Sequence, residues 1–156
     1  MIRILFVCHG NICRSPMAEF ILKDMVDKEG LSDQFEIASA ATSSEEIWNG
    51  TGNPVYPPAR RELERHGIYC GDKRAVQLKR SDYDYYDYLI GMDEQNIRNI
   101  EKITGQHGEK ITMLLEHAGL KRGIRDPWYS RAFDETYDDV VTGCQALLAH
   151  ILTNWK

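Results

Sequence analysis

A cysteine and an arginine five residues apart, in Cys8-His9-Gly10-Asn11-Ile12-Cys13-Arg14-Ser15-Pro16, are the residues of this chain best suited to chemistry. A thiolate is a strong nucleophile, and a neighbouring guanidinium and helix N-terminus favour that ionised form. Arg14 offers a planar fork matched to two oxygens of a phosphate, a geometry lysine cannot reproduce. Gly10 permits backbone conformations that aim successive N–H groups inward, and Asn11 tolerates the left-handed region while its amide braces the loop. Ser15 is placed to give its hydroxyl to the sulfur. The spacing alone is a weak signal, because unrelated chains contain it. Its setting makes it specific: a buried-type strand before it, and Ser-Pro at a helix start after it. Residues 8–15 therefore read as an anion-binding loop, with Cys8 as nucleophile, Arg14 as phosphate ligand, and His9, Gly10, Asn11, Ile12, Cys13 and Ser15 as the surrounding walls.

The elements that must position this loop follow from hydrophobic periodicity. Residues 2–7 form a nearly continuous apolar run, the mark of a strand covered on both faces. A helix is expected from Ser15 as N-cap and Pro16 as first residue, with Met17, Phe20, Ile21 and Met25 on one face and Gly30 as its stop. Residues 35–38 predict a second strand ending at Ser39, and a polar stretch rich in glycine and proline fills 42–58. Residues 58–67 predict a helix closed by Gly67, 86–92 a third strand, and Asp93 the cap of a helix carrying Ile97, Ile100 and Ile103. A fourth strand is expected at 110–115, then a long irregular connection over 116–133 of the kind that often serves function. The closing helix carries Tyr137, Val140, Val141, Cys144, Leu147, Leu148 and Ile151 at helical spacing, weakened by Gly143. Alternating strands and helices predict a single-domain, three-layer α/β/α fold with a four-stranded parallel sheet, Rossmann-like, spanning residues 1–156. Ligands of such sheets bind at the carboxyl ends of the strands, where Cys8, Ser39 and Asp93 are expected.

Composition narrows the classes of function. A net charge of −5 without a basic run argues against nucleic acid, so positive potential for an anion must be concentrated in the loop. No apolar stretch is long enough to span a membrane, and the N-terminus opens on a strand pattern rather than a signal peptide, which predicts cytoplasmic residence and no membrane partner. The four cysteines do not demand disulfides in a chain of this size. Cys144 reads as core, and Cys70 carries no assigned role. The loose spacing of Cys8 and Cys13, without a second ligand pair, argues against zinc, and neither metal nor cofactor is expected.

With these residues in hand, the chain resembles the low-molecular-weight protein tyrosine phosphatases. The resemblance rests on Val7 through Glu19, on Ser39-Ala40-Ala41-Thr42-Ser43, on His66-Gly67-Ile68, on Gly91-Met92-Asp93, and on Asp126-Pro127-Trp128-Tyr129, in family order across nearly the whole chain. It implies the phosphotyrosine-phosphatase-I-like fold and a metal-independent, two-step hydrolysis of phosphotyrosine and small aryl phosphates. Cys8 would form a phosphocysteine, Arg14 and the loop amides would hold the phosphoryl oxygens, and Asp126 would serve as general acid and then base. Asp126 also suits that task by its place in the long connection, stiffened by Pro127. The resemblance further implies that Asn11, Ser39 and His66 support the loop, although Ser39 also fits a turn and His66 a helix end. Cys13 resembles a second loop cysteine that pairs with oxidised Cys8.

Phosphotyrosine needs a deep cleft with flat walls. Trp128 and Tyr129 resemble one aromatic wall; where the family places an aromatic on the other side this chain has Glu45, so either Trp48, slightly later in the chain, swings in as the second wall or that side is open. Ile12 resembles the tyrosine-directed members, whereas arginine-phosphate-directed members carry threonine. A protein arginine phosphatase is thus the nearest alternative. A thioredoxin-coupled arsenate reductase would need a further close pair of cysteines that residues 83–93 lack. The expected partner is a phosphotyrosine-containing protein, with phosphate or vanadate as inhibitors and the enzyme a monomer or weak dimer.

Overall fold

The computed structural model describes residues 1–154. Strand β1 (Ile2–Cys8) lies between β2 (Phe35–Ala41) and β5 (Tyr88–Gly91), and β6 (Ile111–Met113) closes the far edge, giving a parallel sheet of order β2-β1-β5-β6. Alternate side chains of β1 enter opposite layers. Ile2, Ile4, Phe6 and Cys8 join one core cluster, while Leu5 and Val7 join the other. This is why the strand reads as a nearly continuous apolar run, broken only at Arg3. Helices α1 (Arg14–Lys28), α2 (Pro57–Arg65) and α6 (Phe133–Asn154) contribute to the first layer, and α4 (Glu94–Thr104), through Ile97, Ile100 and Ile103, to the second. Among the described residues no helix is long and apolar enough to cross a membrane.

The chain leaves β1 toward β2 on one side and later returns to β5 on the other, so the sheet's switch point falls at the carboxyl end of β1, at Cys8. Several boundaries differ from expectation. Strand β2 runs on to Ala41, so Ser39 lies inside it, paired in register with Phe6. The 42–58 stretch holds a small antiparallel hairpin, β3 (Ile47–Trp48) with β4 (Thr51–Gly52), turned through Asn49 and Gly50 at positive φ. A helical turn, α3 (Asp82–Tyr85), precedes the sheet's third strand, β5, which starts at Tyr88 and ends at Gly91 rather than spanning 86–92, and a 3₁₀ segment (Leu114–Ala118) replaces the end of the fourth. The long connection contains α5 (Pro127–Ser130), initiated by Asp126 accepting from Trp128 N at 3.0 Å.

Gly143 has a packing reason. A Cβ there would stand 2.4 Å from Leu114 Cγ and 3.0 and 3.1 Å from its two methyls, and Leu114 is fully buried. The glycine lets α6 close onto the 3₁₀ segment at the end of β6. By helix propensity alone Gly143→Ala would stabilise by about 1 kcal/mol. Overpacking reverses the sign, so the substitution should destabilise by about 1–3 kcal/mol. A lowered urea midpoint checks this, and a raised one would contradict the packing argument.

Candidate active site

Residues 8–13 turn tightly between β1 and α1. Asn11 takes φ 58°, and its backbone N–H donates to Cys8 Sγ at 3.3 Å. Its side chain is fully engaged: Nδ2 donates to Ser15 Oγ (2.8 Å) and Ser39 Oγ (2.9 Å), and Oδ1 accepts from Val76 N (3.1 Å). Ser15 is not the N-cap; Cys13 precedes the helix and makes no side-chain cap bond. Ser15 is instead fully buried in the first turn, its Oγ 2.9 Å from Cys8 Sγ. Asn11 occupies a lone pair of that hydroxyl, which leaves the hydroxyl proton free to point at the sulfur and support a thiolate. The unpaired N–H groups of the first turn of α1 complete an anion-binding environment.

Arg14 is 3% exposed. Its Nη1 donates to Asp93 Oδ2 (2.7 Å) and to Ile124 O (2.9 Å), leaving Nε and Nη2 for a ligand, and Nη2 stands 3.7 Å from Asp126 Oδ2. Burial alone would lower the guanidinium's pKa, but Cys8, Asp93 and Asp126 together raise it, so the charge is secure. Asp93 works twice: Oδ1 caps α4 through Asn96 N (2.8 Å) while Oδ2 holds Arg14. Gly123 lets the 116–133 connection approach, since a Cβ there would fall 2.7 Å from Asp93 Cβ. Ile124 N then donates to Met92 O (2.8 Å), bringing Asp126 to the cleft. Burial, helped by Cys8 and Asp126, pushes the Cys13 thiol strongly up, so Cys13 is a neutral wall of the loop.

The cleft encloses about 380 Å³ and is lined by the loop residues Cys8, His9, Gly10, Asn11, Ile12, Cys13 and Arg14. Asp126, Trp128 and Tyr129 form one side and Glu45 and Glu46 the other. Trp128 packs on Tyr56, ring centroids 4.7 Å apart, and Tyr56 N donates to Ile12 O (2.9 Å), so the aromatic wall is tied to the loop.

Two expected site residues lie elsewhere. Trp48 does not line the cleft; it is 72% exposed on the β3–β4 hairpin, where Ile47 turns toward the core and strand alternation sends Trp48 outward. His66 does not reach the loop. It ends α2, bonds Glu62 Oε2 (3.2 Å), and stacks on Tyr137 with centroids 3.7 Å apart. The support expected of it comes from Glu19 and Lys73. Ser39 Oγ donates to Glu19 Oε1 (2.6 Å), and Lys73 Nζ donates to Ser39 O (2.9 Å) and stands 3.6 Å from Glu19. A glutamate one turn past Ser15, on the helix face turned toward β2, was the available signal for the first. Lys73 carried none.

A nucleophilic sulfur, a buried guanidinium and a carboxylic acid around one anion-sized loop define a cysteine-dependent phosphatase of the α/β class. The comparisons agree. The family model for "Low molecular weight phosphotyrosine protein phosphatase" matches residues 3–156, and the chain belongs to that family. It is 37% identical over 155 residues to the low molecular weight protein-tyrosine-phosphatase YfkJ of Bacillus subtilis, covering 97% of this chain and 96% of that one. The crystal structure of YfkJ superposes with a TM-score of 0.94 at 36% identity, covering 100% of this chain and 98% of the other. The low molecular weight protein tyrosine phosphatase SP-PTP of Streptococcus pyogenes gives 0.84 at 39% identity (97% and 93% covered), and the Drosophila arginine phosphatase DARP gives 0.86 at 28% (97% and 99%).

The Arg14–Asp93 bond predicts a kinetic effect. Asp93→Asn removes a charge-assisted hydrogen bond of about 1.5–3 kcal/mol that aligns the guanidinium, so kcat/KM should fall about 10- to 100-fold. Steady-state kinetics on an aryl phosphate check this; an unchanged kcat/KM would mean Arg14 is aligned without Asp93.

Proposed function

We propose that the protein is a protein-tyrosine phosphatase in which Cys8, Arg14 and Asp126 carry the chemistry. The observation that carries this reading is the convergence on one cleft of Cys8 Sγ, bonded to Ser15 Oγ and Asn11 N, with Arg14 and with Asp126 3.7 Å from its Nη2. Cys8 attacks phosphorus in line, forming an S–P bond as the P–O bond to the phenol breaks. Asp126 gives its proton to the departing phenolate oxygen. Arg14 Nε and Nη2 and the loop N–H groups bind the phosphoryl oxygens, where charge spreads in the transition state. Asp126 then takes a proton from water as it attacks phosphorus; the S–P bond breaks, the thiolate returns, and inorganic phosphate leaves. No step needs a metal ion or cofactor.

The flat wall of Trp128 and Tyr129, backed by Tyr56, suits a phenyl ring, and Ile12 presents an apolar side chain to the cleft. These features favour phosphotyrosine over phosphoarginine. The substrate is a phosphotyrosine-containing protein, phosphate and vanadate compete for the loop, and the enzyme acts in the cytoplasm as a monomer or weak dimer, its single domain spanning residues 1–156.

Cys8→Ser should lower kcat on aryl phosphates by about 10⁴-fold or more. Asp126→Asn should lower kcat/KM, which reports the steps through P–O cleavage, by about 10²- to 10³-fold for phenyl phosphate, and far less for an activated nitrophenyl ester whose leaving group needs no proton. An Asp126→Asn effect independent of leaving-group pKa would remove Asp126 from the acid role. Ile12→Thr should gain activity on phosphoarginine peptides relative to phosphotyrosine peptides, and no change in that ratio would show that Ile12 does not set the choice.

A further inference from the structure

The cleft wall opposite Trp128 is acidic. Glu45 and Glu46 occupy it, and Arg14 is the only lysine or arginine among the described residues lining the cleft, against the three carboxylates of Glu45, Glu46 and Asp126. Asp126 lies beside Arg14, and Arg14 is committed to Asp93 and to the incoming phosphate. Among the residues lining the cleft beside the two glutamates, only His9 is basic, and it offsets Glu45, 3.1 Å away, only when protonated; Arg131 stands behind the aromatic wall, over Tyr56. Arg122 and Arg125 line the adjoining groove beyond Asp126, and Arg122 is held there by Asp139.

Both glutamates are anchored. Glu45 Oε2 lies 3.1 Å from His9 Nε2, and its backbone N donates to Ser43 Oγ (3.1 Å). Glu46 accepts Asn53 Nδ2 at Oε1 (2.9 Å) and Asn53 N at its carbonyl (2.8 Å), which fixes it to the base of the β3–β4 hairpin. Gly10 admits it closely, since a Cβ there would sit 3.3 Å from Glu46 Cγ. The Glu46 carboxylate is thus tied to Asn53 at the cleft wall, while the exposed Glu45 carboxylate is held by His9 alone.

From this placement we infer that Glu45 and Glu46 set the substrate class: phosphotyrosines whose flanking residues carry lysine or arginine. The inference rests on the phosphatase reading above. With the phosphate bound by Arg14 and the loop amides, chain on either side of the phosphotyrosine emerges past these two carboxylates. A flanking cation gains attraction to both, and a flanking carboxylate meets repulsion from both. A partly exposed ion pair contributes modestly, so two together correspond to about a 3- to 10-fold preference in kcat/KM, expressed mainly in KM.

The test compares three phosphotyrosine peptides of equal length, with lysine, alanine or glutamate on both flanks, on the wild-type protein and on Glu45→Gln/Glu46→Gln. On the wild type the lysine peptide should exceed the glutamate peptide by about 3- to 10-fold at low ionic strength, with alanine between them. That ratio should shrink toward one at about 1 M salt, where screening acts within about 3 Å. It should shrink likewise in the double variant at low salt, and Glu46→Gln alone should give an intermediate ratio. A wild-type ratio of one or less, or a ratio unchanged by the double substitution, would overturn the inference while leaving the phosphatase reading intact. Failure to hydrolyse any of the three peptides would overturn that reading, and the inference with it.

Discussion

Arg14 joins three stretches of chain that are far apart in sequence. Its backbone begins α1 directly after the loop, and its Nη1 bonds both Asp93, at the end of β5, and the carbonyl of Ile124, in the long connection before α6. The nucleophile, the phosphate ligand and the carboxylic acid arrive from different elements, and this buried guanidinium is where those elements meet. An arginine taken so far out of water is tolerable only when its N–H groups and charge are answered. Asp93, Ile124 and nearby Asp126 answer part of both, and the fork's remaining N–H groups are left facing the site of the anion. The need to satisfy Arg14 and the need to bind phosphate are one geometric requirement.

The loop is shaped from behind by neutral polar groups and a buried carboxylate, Glu19, with Lys73 beside it. The chain of bonds runs from Cys8 through Ser15 and Asn11 to Ser39 and Glu19, and every link is buried. Buried polar networks of this kind cost little only when every member is satisfied, and then they fix one conformation. Asn11 shows why: it holds φ at 58°, a region that side chains other than asparagine and aspartate rarely visit, and its amide makes three bonds that repay the strain. The protein carries a net charge of −5, yet its anion site needs no basic patch. Oriented amides and one guanidinium supply the potential locally, which leaves the rest of the cleft free to be acidic.

Much of this was legible in the sequence, and the exceptions follow a pattern. The apolar run of β1 and the Cys8-to-Pro16 string give the strand, the loop and the helix because their signals are local. The four-stranded parallel sheet followed from the alternation of elements, but its strand order did not. Long-range partners were not legible. Asp93 read as a helix cap, which it is, but its second bond to Arg14 depends on sheet order. Lys73 carried no local signal, and only the pairing of its segment beside β2 places it on Ser39. His66 and Trp48 misled for the opposite reason. Each suited the role by type, but a neighbouring ring claimed His66, and strand alternation in a two-residue hairpin turned Trp48 outward. Ser15 looked like a cap because Ser-Pro opens many helices; here the sulfur and Asn11 compete for its hydroxyl and win.

The central claim is that Cys8 becomes covalently phosphorylated during turnover. Rapid acid quench of the protein mixed with an activated nitrophenyl phosphate, followed by peptide mapping by mass spectrometry, tests it directly, and Asp126→Asn should raise the trapped fraction, because that leaving group needs no proton while the attack of water is slowed. The account predicts one added phosphoryl group on the peptide bearing Cys8, appearing within the first turnover together with a burst of released nitrophenol. Turnover without a burst and without phosphate on that peptide, or phosphate found on another residue, would contradict it.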